Sequence, residues 1–117
     1  GSKYIILKGD PAANSMIKIG INNVDGWGCY FNKGMCYVMR YKHIDGAEYP
    51  DFGVSYETYT NSYFLELESL SPLKNLAPGE SVEHKETWNL FECPTPPDVR
   101  DEDDITAFVQ THIAKYS

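Results

Sequence analysis

Residues 54–70 read Val54-Ser55-Tyr56-Glu57-Thr58-Tyr59-Thr60-Asn61-Ser62-Tyr63-Phe64-Leu65-Glu66-Leu67-Glu68-Ser69-Leu70. β-branched, aromatic and aliphatic residues stand on both sides of Asn61-Ser62, which predicts a hairpin with strands over 54–60 and 63–70. Side chains alternate across a strand, so Glu66 and Glu68 share one face and Leu65 and Leu67 the other. Glu57 and Tyr59 share a face on the preceding strand. A matching register puts them beside the glutamates, because cross-strand neighbours touch.

Working outward, residues 16–22 alternate, with Ile17, Ile19 and Ile21 on one side and Lys18 and Asn22 on the other. That is a half-buried strand. Asn23-Val24-Asp25-Gly26 is a turn. Strands over 27–31 and 35–42 flank a three-residue loop, Asn32-Lys33-Gly34, whose glycine accepts the left-handed conformation. Residues 3–7 form a short apolar strand ended by Gly9-Asp10-Pro11. Residues 43–53 and 71–81 are loops, the second holding a tight Pro78-Gly79 turn. A long strand covers 82–91.

After Pro94, Pro96 and Pro97, the run Asp101–Asp104 supplies an N-cap and negative charge at a helix start. Ile105, Phe108, Val109, His112 and Ile113 then recur at helical spacing, predicting a helix over 102–115 that packs on the sheet. About seven strands followed by one helix make a mainly β chain. The expected fold is an antiparallel β-sandwich or curved sheet with one C-terminal α-helix. Gly1-Ser2 read as an expression scar, 3–93 as the β domain, and 94–117 as a Pro-rich linker with the helix.

The chain has 117 residues, which suits one domain, and a formal charge of −7. That charge argues against nucleic acid and anionic membrane as partners. No apolar run reaches membrane-spanning length. No signal peptide is visible, leaving cytoplasm and periplasm both open. The three cysteines, Cys29, Cys36 and Cys93, have neither zinc-site nor disulfide-framework spacing. They read as free thiols, with a Cys29–Cys36 bridge across a hairpin as the alternative.

Several motifs occur in order: Asp25-Gly26-Trp27, Tyr49-Pro50-Asp51-Phe52-Gly53, Glu57-Thr58-Tyr59-Thr60-Asn61, and Phe64-Leu65-Glu66-Leu67-Glu68-Ser69-Leu70-Ser71-Pro72-Leu73. Leu76-Ala77-Pro78-Gly79-Glu80-Ser81 and His84-Lys85-Glu86-Thr87-Trp88 follow. Over residues 4–91 this set resembles the C-terminal portion of galactose-mutarotase-like, aldose-epimerase-like proteins, in an uncharacterised branch of that superfamily. The resemblance implies a supersandwich that binds sugar on a concave sheet face, with this chain as its C-terminal half. It places the glutamate base at Glu68, with Glu66 second. No match is found for the histidine acid, which the resemblance assigns to an upstream strand. An aldose 1-epimerase-like isomerase activity would therefore need the N-terminal portion.

Mutarotation needs a base for the anomeric hydroxyl proton and an acid for the ring oxygen, and takes no cofactor. Arg40 is the candidate donor to sugar hydroxyls, Glu57 and Tyr59 are candidate contacts, and Trp27 a candidate stacking platform. Each has a plainer role: solvated carboxylates, a surface arginine, a buried tryptophan anchor beside a turn. His84 and Glu86 share a strand face and read as a satisfied, partly buried pair. His43 reads as a solvated loop residue and His112 as packed on the helix stripe. A sugar or glycan is the expected partner. Half of a sandwich would also expose an apolar face, pointing to a homodimer or to association with the N-terminal portion. The alternative is a non-catalytic structural or oligomerisation β-sandwich domain.

Overall fold

Alternation and hairpin chemistry lead, in the computed structural model, to two three-stranded antiparallel sheets; residues 3–114 are described. The strands are β1 (Ile17–Ile21), β2 (Trp27–Asn32), β3 (Met35–Tyr41), β4 (Tyr56–Thr60), β5 (Leu65–Ser69) and β6 (Glu86–Glu92), and one helix spans Glu102–His112. One sheet has the order β1-β4-β5 and the other β2-β3-β6. The fold is thus mainly β with a C-terminal helix, as its strand patterning predicts. Gly1-Ser2 and the predicted helix end at Lys115 lie outside the described residues.

The chain forms two compact units, one of Gly1–Lys8, Cys29–Val38 and Asn89–Ser117, the other of Gly9–Gly28 and Met39–Trp88. In the first, the helix is capped as its sequence predicts: the Asp101 side chain accepts the Asp103 and Asp104 N–H groups. A cap of this kind contributes about 1 kcal/mol. The helix packs through Phe108, whose ring lies 5.2 Å from Phe31 edge-on and 6.4 Å from Phe91. His112 stacks on Phe91 at 5.4 Å. Ile105 and Ile113 are buried beneath the helix, and Cys36 and Val38 complete this core with no exposed surface.

In the second unit, Tyr41 is the centre. Its ring stacks on Tyr56 at 6.5 Å, and its hydroxyl donates to Asn23 O at 3.1 Å. Ser55, fully buried, accepts the Asn23 N–H at 3.0 Å. These bonds satisfy polar groups that burial would otherwise penalise. They also tie the Asn23–Gly26 turn, closed by a 3.2 Å bond, to the start of β4.

Four sequence expectations change. Residues 3–7 form no strand: Tyr4 Oη bonds Thr106 Oγ1 at 3.0 Å and the Lys3 N–H donates to Glu102, so side chains hold this segment along the helix. The β2–β3 loop is two residues, because Lys33 as well as Gly34 takes positive φ (50° and 75°), the pattern that matches strand twist. The last strand begins at Glu86 rather than 82, since residues 82–85 alternate in sequence but form no ladder. Among the described residues there are accordingly six strands, not seven. His43 is also not solvated: its side chain is 7% exposed, stacks on Tyr49 at 5.2 Å, and bonds Asn22 Oδ1 at 2.8 Å.

Candidate functional site

The register of β1, β4 and β5 decides which side chains meet. Glu57 pairs with Glu68 and Tyr59 with Glu66 across β4–β5. On the other side, Lys18 pairs with Tyr59 and Gly20 with Glu57. One face of the sheet therefore carries Lys18, Glu57, Tyr59, Glu66 and Glu68, around the side-chain-free position at Gly20. The opposite face carries Ile17, Ile19, Leu65 and Leu67. The register thus groups four of the six sequence-predicted residues. Trp27 and Arg40 lie instead on β2 and β3, which do not pair with these strands.

Burial differs sharply along this face. The Glu57 side chain is 7% exposed and lies 2.5 Å from Lys18 Nζ, whose own side chain is 55% exposed. Glu68 is half-buried and Glu66 exposed. The Lys18 ammonium is held above the ordinary lysine range, chiefly by its hydrogen bond to Glu57, with smaller help from the charges of Glu68 and Asp51. Glu57 thus contacts the ammonium, and the charges of Glu68 and Asp51 act on it at longer range. Among the described residues no group of three or more His, Cys, Asp or Glu side chains is arranged to hold a metal ion.

Glu57 is buried because a turn lies beside it. A methyl group built on Gly20 would come within 3.1 Å of a Val54 side-chain carbon, so Val54 rests on the face where Gly20 leaves room. The preceding turn, Pro50–Gly53, is closed by Val54 N–H donating to Pro50 O at 3.1 Å. It winds left-handed: Asp51 has φ 50°, Phe52 φ 67° and Gly53 φ 93°. Asp51 and Gly53 tolerate this region, but a phenylalanine there costs on the order of 1–2 kcal/mol. The ring that bears this strain is fully exposed.

Tyr59 is fixed at the other end. Its hydroxyl accepts from Asn61 Nδ2 at 3.3 Å and donates to Met16 Sδ at 3.5 Å, and its ring tilts against Phe64 at 5.7 Å. Asn61 also closes the hairpin, its side chain accepting the Tyr63 and Phe64 N–H groups.

A second polar cluster forms where β5 ends. Ser69 Oγ donates to Glu86 Oε1 at 2.5 Å and lies 2.7 Å from His84 Nε2, while Trp88 Nε1 donates to Glu86 Oε2 at 2.8 Å. Ser69 has one hydroxyl proton, and it is donated in the hydrogen bond to Glu86. His84 Nε2 must therefore carry a proton and donate to Ser69. That order is the reverse of a serine nucleophile activated by histidine, so the cluster acts as a clamp on residues 84–88. His84 and Glu86 are satisfied, as expected, but exposed rather than partly buried.

Lys18, Phe52 and Ser69 were not singled out by sequence reasoning. Lys18 was legible as an outward residue of an alternating strand. Its pairing with Glu57 depends on a register that no local pattern reveals.

No helix among the described residues is long and apolar enough to cross a membrane. No family model, curated protein or solved structure matches the chain.

Proposed function

We propose that the polar face of β1-β4-β5 binds a sugar or glycan, as the C-terminal half of a galactose-mutarotase-like protein would. One observation carries the reading: the register that sets Glu57 opposite Glu68 and Tyr59 opposite Glu66. The mutarotase resemblance places the base on the β5 strand, and this register surrounds that position with hydrogen-bonding partners. Glu57 is already engaged by Lys18, which leaves Glu68 and Glu66 to accept sugar hydroxyls. The exposed ring of Phe52, in the turn flanking Glu57, offers an apolar surface to the C–H face of a pyranose. The strain at Phe52 fits a residue held for contact rather than packing.

Glu68 is then the base for anomeric exchange, with Glu66 second. Lys18 serves as a hydrogen-bond donor and not as the acid, because Glu57 holds its proton tightly. An acid for the ring oxygen has to come from outside this face, so the reading is binding first and catalysis only with that acid supplied. The chemistry takes no metal or organic cofactor. An open face of this kind binds weakly, with Kd on the order of 1 mM. NMR titration against a panel of monosaccharides tests it: saturable shifts on β1, β4 and β5 support it, and silence across the panel refutes it.

A second reading, a non-catalytic structural or oligomerisation domain, draws on exposed apolar side chains. Trp88 and Leu90 are each 67% exposed, and Ile5 and Ile6 are 60% and 50% exposed. Light scattering across concentration separates the two, since self-association predicts a rising mass.

A further inference from the structure

The chain has three methionines, Met16, Met35 and Met39. Met39 is 2% exposed and Met35 half-buried, whereas Met16 is 69% exposed. Met16 immediately precedes β1 and stands two residues before Lys18, which the β1–β4 register pairs with Tyr59. Side chains alternate along a strand, so Met16 continues the face that carries Lys18, Glu57 and Tyr59. The contact is direct: the Tyr59 hydroxyl donates to Met16 Sδ at 3.5 Å and accepts from Asn61 Nδ2 at 3.3 Å. A thioether is a weak acceptor, so this proton is loosely held and passes readily to a better one.

We propose that Met16 is an oxidative modification site that regulates the polar face of β1-β4-β5 through the Tyr59 hydroxyl. The regulatory role rests on the sugar reading of that face; the coupling of Met16 to Tyr59 does not. In the reduced chain the Tyr59 proton is available to a sugar oxygen. This donor matters because the other one on the face, Lys18, is engaged by Glu57. Oxidation turns a flexible apolar side chain into a polar, chiral one and puts a strong acceptor oxygen on the sulfur. That oxygen holds the Tyr59 proton, and the face loses a donor.

The chemistry balances with hydrogen peroxide as the oxidant. A lone pair of Met16 Sδ attacks one peroxide oxygen and the O–O bond breaks. The proton on the attacked oxygen passes to the departing one, which leaves as water. The sulfur gives up two electrons and one peroxide is reduced. Methionine sulfoxide reductases, one for each sulfoxide epimer, reverse the step.

The test uses the full native chain. It is treated with dilute hydrogen peroxide and then with dithiothreitol, which reduces disulfides and leaves sulfoxides in place. Tryptic cleavage after Lys8, Lys18, Lys33 and Arg40 puts Met16 on one peptide and Met35 with Met39 on another, where fragmentation separates the two. Met16 should be the first methionine oxidised. In the same samples, the NMR signal of the Tyr59 ring carbon that bears the hydroxyl should move on oxidation and return after treatment with both reductases. Sugar affinity should fall severalfold in the oxidised chain and recover with the reductases. Met16→Leu should show none of these responses to peroxide, and in Tyr59→Phe oxidation should no longer change affinity. The proposal is overturned if Met35 or Met39 oxidises before Met16, if the Tyr59 signal ignores the Met16 sulfoxide, or if sugar binds both forms equally. Silence of the reduced chain towards every sugar refutes the sugar reading and the regulatory role with it. A Tyr59 signal that still moves then separates that result from a failure of the Met16–Tyr59 coupling.

Discussion

Glu57 stands directly opposite Glu68 in the β4–β5 register, yet only Glu57 is buried and ion-paired. The pair divides two roles that look equivalent in sequence. Glu57 anchors Lys18, and Glu68 is the carboxylate that the proposed sugar would meet. Removing Lys18 therefore strands a buried carboxylate, whereas removing Glu68 strands nothing. Lys18→Met should lower the urea midpoint clearly, Glu68→Gln should leave it nearly unchanged, and Lys18→Met with Glu57→Gln should recover much of the loss. Equal midpoints for Lys18→Met and wild type would remove Glu57 from its anchoring role.

Several groups that hold a proton set the alkaline limit. Lys18 is raised above its ordinary 10.5 by Glu57, Tyr41 above its ordinary 10.0 by burial, and the thiols of Cys36 and Cys93 above their ordinary 9.0, Cys36 by its neighbour Cys29 and by burial and Cys93 by burial. In each, the folded state holds the proton more tightly than the unfolded chain. Their contribution is complete below the ordinary values and is lost as pH rises through the raised ones. Stability should thus be level around neutral pH and fall once pH passes about 9. Tyr41→Phe should shrink that fall, measured by urea midpoints across pH, at a cost of about 1 kcal/mol near neutrality for the lost hydroxyl bonds. An undiminished fall in Tyr41→Phe would contradict the assignment.

The Pro50–Gly53 turn trades stability for an exposed ring. Phe52→Gly should relieve the positive φ and stabilise the chain by about 1 kcal/mol. The same substitution should weaken sugar binding severalfold, because the ring is gone. A variant that is stabilised but binds unchanged would place Phe52 outside the site.

Gly20 makes room for Val54, so a side chain there must displace the turn. Gly20→Ala is expected to cost about 1–3 kcal/mol by overpacking, and Val54→Ala added to it should recover most of that loss. Thermal unfolding of the two variants checks the coupling; additive losses would show that the contact is not the cause.

The hairpin around Asn61, the helix cap at Asp101 and the Pro78-Gly79 turn were legible because each rests on local chemistry: a turn residue, a capping carboxylate, a left-handed glycine. Gly79 indeed has φ 88°, and Glu80 N–H closes that turn on Ala77 O. The common face of Glu66 and Glu68 was legible for the same reason, since alternation is local. Features that need two distant segments were not. The β1–β4 pairing that brings Lys18 to Glu57 is one, and the Ser69 clamp on His84 and Glu86 is another. Residues 3–7 and 82–85 misled because apolar runs and alternation mark suitable strands without supplying a neighbour to pair with. Phe52 broke the rules altogether, since no propensity predicts an exposed aromatic ring at positive φ.

The proposed sugar site is the polar face of β1-β4-β5. The most direct measurement is an NMR titration of the isotopically labelled chain against a monosaccharide panel, run in parallel on Glu68→Gln. Saturable amide shifts at Lys18, Phe52, Tyr59, Glu66 and Glu68, weakened severalfold in Glu68→Gln, are the predicted result. Absence of saturable shifts for every sugar, or shifts confined to other strands, would contradict it.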